Sequence, residues 1–296
     1  MCAPIKTDWK SASFQASVVV AFTVVRLRIP FGDFVLSNTE TILVIPDAHA
    51  TPGIPNDRFR RLGNYIVHMK PDLVLCLGDF AHMGSLSEFD KGTVKAHGQY
   101  YEADIRVSID ANEQLWKPLH QHNKALLRSG SAPYNPRKVM LYGNHEFRIM
   151  RAASKNPELW NWITVDDLEY EKFGWETVPF KTIFNYNDIL FAHFFTDGLK
   201  DMSIGGVNAA RRLTMQDART RIMGHSHTLQ FSYTGRGRKR FGLVAGCYFD
   251  HVEDYLSPEA QEDWWRGVVW LDRVTKDGQC DPYFIPMSAI QERYDF

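Results

Sequence analysis

Residues 41–79 read TILVIPDAHATPGIPNDRFRRLGNYIVHMKPDLVLCLGD. The stretch opens on the apolar run Thr41 to Pro46 and stops on Asp47. A short apolar run bounded by turn residues fits a buried strand. Phe59, Leu62, Ile66 and Met69 then recur at helical spacing from Arg58 onward. That pattern ends before Pro71, because the residue before a proline avoids the helical conformation. Asp72 to Gly78 is a second apolar run, and it stops on Asp79. Strand, helix and strand make a β-α-β unit in which each strand's carboxyl end delivers an acid into a loop. This unit sets the fold class as α/β.

The pattern continues outward. A long helical region is expected over Thr93 to Arg128, then a third strand over Lys138 to Tyr142 that runs into Gly143-Asn144-His145-Glu146. Phe147 to Trp162 reads as a helix, and Thr182 to Phe195 as two strands with a turn at Tyr186-Asn187-Asp188. Val207 to Gln216 reads as a helix, and Thr220 to Met223 as a strand running into Gly224-His225-Ser226-His227. From Leu229 to Asp272 the residues alternate like sheet, with a turn at Thr234-Gly-Arg-Gly-Arg. No repeat, low-complexity tract or linker divides the chain, so one catalytic domain is expected.

Five segments share one design: an apolar strand stops, and a metal-binding side chain follows. They are Asp47-Ala48-His49, Gly78-Asp79, Gly143-Asn144-His145-Glu146, Ala192-His193 and Gly224-His225-Ser226-His227. Sites in open α/β sheets form at the carboxyl ends of strands, so segments far apart in sequence can converge. Carboxylate, imidazole and amide oxygen suit Mn²⁺, Fe, Zn²⁺ or Ni²⁺ and not soft thiolate chemistry. In extended backbone every second side chain points the same way. Asp47 with His49, and His225 with His227, are therefore each expected to act as a chelating pair.

This ordered set resembles the calcineurin-like metallophosphoesterase superfamily, from about Thr41 to about Phe249. The resemblance implies a four-layer α/β/β/α sandwich of two mixed sheets, with a dinuclear metal site at the strand C-terminal ends. It implies residues 1–38 as an N-terminal extension without a motif. Residues 39–296 would form the catalytic domain, with a C-terminal sheet and aromatic extension. Two divalent ions are implied, Mn²⁺ first, with Fe, Zn²⁺ or Ni²⁺ as alternatives. One ion would be held by Asp47, His49, Asp79 and His227. The other would be held by Asp79, Asn144, His193 and His225, with Asp79 bridging. His145 would be the general acid that protonates the leaving oxygen after attack by a metal-bridging hydroxide.

One position departs from the family pattern. Many members carry Gly-Asp-x-x-Asp, whose second acid orients the catalytic histidine, whereas here the segment is Gly78-Asp79-Phe80-Ala81-His82. Either another acid, such as Glu88 or Asp90, orients His145, or its role as an acid is weakened. His82 is read as a structural neighbour of the site or a substrate contact, and not as a metal ligand. Arg148, three residues after His145, is either a surface arginine or a phosphate contact one helical turn away. Arg58, Arg60, Arg61, Arg211 and Arg212 are read as solvated.

The whole-chain numbers limit the partners. The 296 residues carry 34 basic and 35 acidic side chains, a net charge of −1. That excludes bulk electrostatic coating of nucleic acid but leaves a local patch open. The sharpest patch is Arg236-Gly237-Arg238-Lys239-Arg240, at an expected hairpin tip. Trp264, Trp265 and Trp270 either stack bases or, more plainly, pack a layer on the sheet. Cys2, Cys76, Cys247 and Cys280 are far apart, which reads as free thiols in a reducing compartment. No apolar run reaches the ~18–20 residues that span a bilayer. Ala16 to Val25 reads as a strand or extension and not as a signal peptide, so a cytoplasmic protein is expected. Three function classes follow: a phosphoesterase acting on phosphomonoesters or phosphodiesters, a nuclease of the same superfamily, and a non-catalytic metal-binding scaffold. The oligomeric state has no signature in the sequence.

Overall fold

Side chains that alternate along a strand serve two different cores, and the first strand shows this directly. In β1 (Glu40–Ile45), Ile42 and Val44 face one apolar cluster while Leu43 and Ile45 face another. All four are fully buried, each worth about 1.5–3 kcal/mol of transfer free energy. The computed structural model describes residues 39–198, 201–234, 240–252 and 257–295. The expected N-terminal extension, the run Ala16 to Val25, and Arg236 to Lys239 of the basic run lie outside the described residues.

The β-α-β unit forms as expected. β1 runs parallel to β2 (Leu73–Cys76) across α1 (Asp57–Met69), with Ile45 opposite Cys76. β3 (Arg137–Leu141) and β4 (Glu176–Val178) continue the parallel order. On the other side of β1 lie β10 (Gly267–Val274) and β11 (Asp281–Pro286), both antiparallel to their neighbours. The first sheet therefore reads β11-β10-β1-β2-β3-β4. A second mixed sheet reads β5-β6-β7-β9-β8, from β5 (Phe184–Tyr186), β6 (Ile189–Ala192), β7 (Thr220–Met223), β8 (Leu229–Thr234) and β9 (Arg240–Ala245).

Between the sheets lies the cluster that holds Ile42, Val44, Leu75, Phe191, Ile222 and Leu243. The outer face of the first sheet packs Leu43, Val74 and Met140 on Phe59 and Leu62 of α1 and on Leu115 and Trp116 of α2 (Tyr101–Arg128). The outer face of the second sheet packs Leu190, Met223 and Val244 on Ala209, Ala210 and Leu213 of α4 (Ala209–Thr214). The layers are thus α/β/β/α, the expected sandwich.

Some element ends differ from expectation. α2 starts at Tyr101 and not near Thr93; Gly98 takes a left-handed φ of 79° that a helix cannot continue through. α3 (Phe147–Lys155) is shorter than expected, because Asn156 precedes Pro157 and is extended (φ −127°, ψ 94°). The turn between β5 and β6 does fall at Asn187-Asp188, both with positive φ, the geometry that a two-residue hairpin requires. Beyond Asp272 the chain adds β11 and a last helix (Met287–Tyr294), which the alternation pattern does not reach.

Parallel register places the functional loops. β1, β2 and β3 end at one edge, as do β6, β7 and β9 in the second sheet. Asp47 and Cys247 then form a bridge between the two sheets' loops, with Tyr248 N donating to Asp47 O at 2.7 Å. This link brings the candidate donors of one sheet to those of the other.

Candidate metal centre

Three of the five segments reach this edge through left-handed backbone. His49, Asp79, His225 and His227 all have φ between 43° and 68°. Left-handed backbone at residues other than glycine costs of order 1–3 kcal/mol and persists where surrounding contacts hold it. The expectation of extended Asp-x-His and His-x-His pairs therefore needs correction. Asp47 and His49 do share a group, but His225 and His227 turn into different ones.

Two of the donor groups interlock. Asp47, His49 and His227 present atoms within 4.8 Å of one another, and so do Asp79, His193 and His225. His227 Nε2 lies 3.2 Å from Asp47 Oδ2. His193 Nε2 lies 3.3 Å from Asp79 Oδ2 and 2.9 Å from Asn144 Oδ1. His49 Nε2 is 3.9 Å from the same Asp79 oxygen. Asp79 Oδ2 thus stands between the groups. Its other oxygen accepts the His145 backbone N–H at 2.8 Å. Both oxygens of Asp47 accept the His225 N–H at 3.0 Å.

Two glycines make room for these carboxylates. A Cβ at Gly143 would overlap Asp79 Oδ1, and one at Gly224 would overlap Asp47 Oδ1. Gly224→Ala is expected to displace Asp47 and weaken metal binding by about 10–100-fold, the scale of lost support around a ligand. Equilibrium Mn²⁺ titration beside the circular dichroism spectrum checks this; a folded variant with undiminished affinity would contradict it.

The donor set fits divalent cations. The backbone carbonyl of Leu77 lies 3.1 Å from His193 Nδ1 and fixes the proton there, leaving Nε2 to face Asp79 and Asn144. Burial pushes the His193 pKa down, but Asp79 and Asp47 outweigh it and raise it to about 9. Those carboxylates therefore draw positive charge to this point. Burial, with His193 beside it, lowers His225 to about 4, and burial with His145 and His82 holds His49 well below the usual value. Neutral imidazoles are the form that ligates.

His145 lies against this centre, with Nε2 3.7 Å from Asp79 Oδ2. Its Nδ1 meets the backbone carbonyl of His82 at 2.5 Å, and its Nε2 meets an Arg148 nitrogen at 3.0 Å. A carbonyl only accepts and a guanidinium only donates, so this pairing assigns the neutral tautomer with hydrogen on Nδ1. The group that orients His145 is therefore a carbonyl and neither Glu88 nor Asp90. Glu88 pairs with Arg151 and Lys155 instead. Arg148 is a buried residue and not a surface one, and it also donates to the carbonyls of His82 and Met83 at 3.2 Å. The His82 ring meets His49, Nδ1 to Nδ1, at 2.9 Å. Together with His145 these two rings form a third set of donors within 4.8 Å. A cleft of about 690 Å³ opens here, lined by Asp79, Asn144, His145, Arg148, His225 and His227 among others.

Other supports of the site have no local sequence signal. Glu146 is fully buried and accepts the N–H groups of Asp79 (2.9 Å), Ala81 (3.0 Å) and Gly143 (2.8 Å). Arg58 was expected in solvent but is buried, donating to the carbonyls of Ala48, His49 and Pro55. Arg60 and Arg61 pair with Asp57 and Asp295, and Arg211 and Arg212 are exposed. Trp264 and Trp270 are buried, against base stacking. Trp264 stands edge-on to His227 at 4.6 Å, and Phe249 packs on His49 and His227, closing an aromatic wall. Arg240 is also buried, donating to Ala218 O and Asp277 O. It pairs with Thr234 at the far end of the β8–β9 hairpin, six residues along each strand from the metal edge. No described helix is long and apolar enough to cross a membrane.

No curated protein matches the chain. The profile of the calcineurin-like phosphoesterase family matches residues 40–229, more than half of the chain, and that span begins at β1 and contains all five candidate metal-binding loops. With the two interlocked His/Asp groups, the match makes the chain a member of the calcineurin-like phosphoesterase family, metal-dependent hydrolases of phosphate esters.

Proposed function

We propose that the protein hydrolyses a single phosphoester group, in a phosphomonoester or a phosphodiester, with His145 handling the proton of the leaving oxygen. One observation carries the reading: two donor groups meet at Asp79 Oδ2, and His145 Nε2 stands 3.7 Å from that oxygen. Asp47, His49, Asp79 and His227 would hold one divalent ion, and Asp79, Asn144, His193 and His225 the other. Mn²⁺ is the first choice, with Fe, Zn²⁺ and Ni²⁺ compatible with the same donors. When bound, the ions supply Lewis-acid polarisation of the phosphoryl oxygens and activation of water at neutral pH.

The chain's own residues arrange the rest. The His82 carbonyl keeps hydrogen on His145 Nδ1, so proton exchange occurs at Nε2. Burial holds this imidazole well below its usual pKa; Arg148 and His82 add to the shift and Asp79 opposes it. The resting group is therefore the neutral imidazole that its two hydrogen-bond partners also assign. An incoming phosphate gives Arg148 an anionic acceptor and brings negative charge to the ring. Both changes free Nε2 and raise its affinity for a proton, which it takes up from solvent and gives to the leaving oxygen. His145→Ala is expected to keep both metals and to lose about 10²–10⁴-fold in kcat on substrates with poor leaving groups. A fall in metal content would instead make His145 a ligand.

Charge favours a small substrate over a polynucleotide. Arg148 is the only lysine or arginine among the described residues lining the cleft, and Asp90 stands in its lining too. Binding along a nucleic-acid backbone takes several such cations. The test uses the full chain with Mn²⁺, Fe²⁺, Zn²⁺ or Ni²⁺ in turn, on p-nitrophenyl phosphate, bis-p-nitrophenyl phosphate, and single- and double-stranded DNA. Turnover of a small ester is expected. Turnover of DNA alone would overturn the substrate class, and no turnover with any of the four metals would overturn the reaction.

A further inference from the structure

Strand pairing continues past the ends of β1 and β2. Ala50 and Ala81 form a parallel bridge, with Ala50 N donating to Phe80 O at 2.8 Å and His82 N to Ala50 O at 3.1 Å. The bridge sets His49 and His82 side by side, ring centroids 5.2 Å apart. Their Nδ1 atoms are 2.9 Å apart, a distance at which the two nitrogens share one proton. The other nitrogen of His49 is the one turned to Asp79. An imidazole that offers Nε2 to a cation carries its hydrogen on Nδ1. His49 is then the donor of the shared proton and His82 the acceptor.

The His82 residue is itself fixed on several sides. A Cβ at Gly84 would lie 3.1 Å from its Cδ2, so the ring has a close backbone neighbour. Its carbonyl accepts from His145 and Arg148. We propose that His82 is a positioning residue with two separate outputs. Its ring sets the tautomer and direction of His49 for one of the two metal ions. Its carbonyl, which any residue at this position would supply, sets His145. The inference rests on the ligand assignment under the proposed function.

The two outputs predict a selective defect. The test is Mn²⁺ binding to the full chain by calorimetric titration, with metal content after dialysis. His82→Ala is expected to weaken one of two binding steps by about 10–100-fold. The Mn²⁺ concentration for half-maximal activity should rise by the same factor. His82→Asn, whose amide oxygen can accept from His49 Nδ1, is expected to recover part of that affinity. Thermal melts of both variants verify that each is folded. Two wild-type affinities in a folded His82→Ala protein would overturn the proposal, as would equal weakening of both steps. If the wild-type chain binds two Mn²⁺ but hydrolyses no phosphoester, the reaction proposed above fails, while a selective loss in His82→Ala still supports this role. A wild-type chain that binds fewer than two Mn²⁺ overturns both.

Discussion

Asp79→Asn is expected to lower kcat/KM by at least about 10³-fold, some 4 kcal/mol of transition-state stabilisation. The shape of the site should survive, because asparagine has the same size. Its chemistry should not. Asp79 Oδ1 accepts the His145 N–H, so the amide oxygen of the variant is required on that side. The amide NH₂ then falls where Oδ2 now stands, against His193 Nε2 and His49 Nε2. A donor would point at the place where both ligand groups need a shared acceptor. The lost charge matters as well: burial works against the Asp79 carboxylate, yet His145 and His193 hold its pKa well below the usual range. Steady-state rates and metal content of the variant measure this. Wild-type rates would sink the two-metal account.

Glu146→Ala is expected to destabilise the fold by about 3 kcal/mol or more. Its carboxylate accepts three backbone N–H groups and the Tyr170 hydroxyl, and it is fully buried. Each donor left unsatisfied costs about 1–3 kcal/mol. In a domain of this size the melting temperature should fall by about 6–12 °C. Because the donors come from both the Asp79 loop and the Gly143 loop, the site should loosen along with the fold. Glu146→Gln is expected to fall between the two, since an amide has one acceptor oxygen for donors that meet both carboxylate oxygens. Thermal denaturation of the three proteins measures the series; an Ala variant melting with the wild type would contradict the bracing role.

The parts that could be read from sequence are those whose signal is local. Thr41 to Asp79 carries a strand, a helix and a strand in its own periodicity, and the histidines and acids stand directly after apolar runs. The bracing residues have no such signal. Glu146 reaches across to the β2 loop, 65 to 67 residues away in sequence, and nothing in its neighbours marks that contact. Arg58 sits in a run of charged residues that reads as solvated, yet its target is the carbonyl of Ala48 ten residues earlier. The split between His225 and His227 depends on two left-handed backbone angles, which an alternation rule for extended chain cannot anticipate. Two of the element ends do have a local cause: Pro157 follows the end of α3, and Gly98 precedes the start of α2.

Whether two divalent ions share Asp79 is tested most directly by low-temperature electron paramagnetic resonance of the Mn²⁺-loaded full chain. Two ions about 3.5–4 Å apart, the usual spacing of two-metal sites, should give an exchange-coupled spectrum at two Mn²⁺ per chain. An isolated six-line signal at one Mn²⁺ per chain would contradict it.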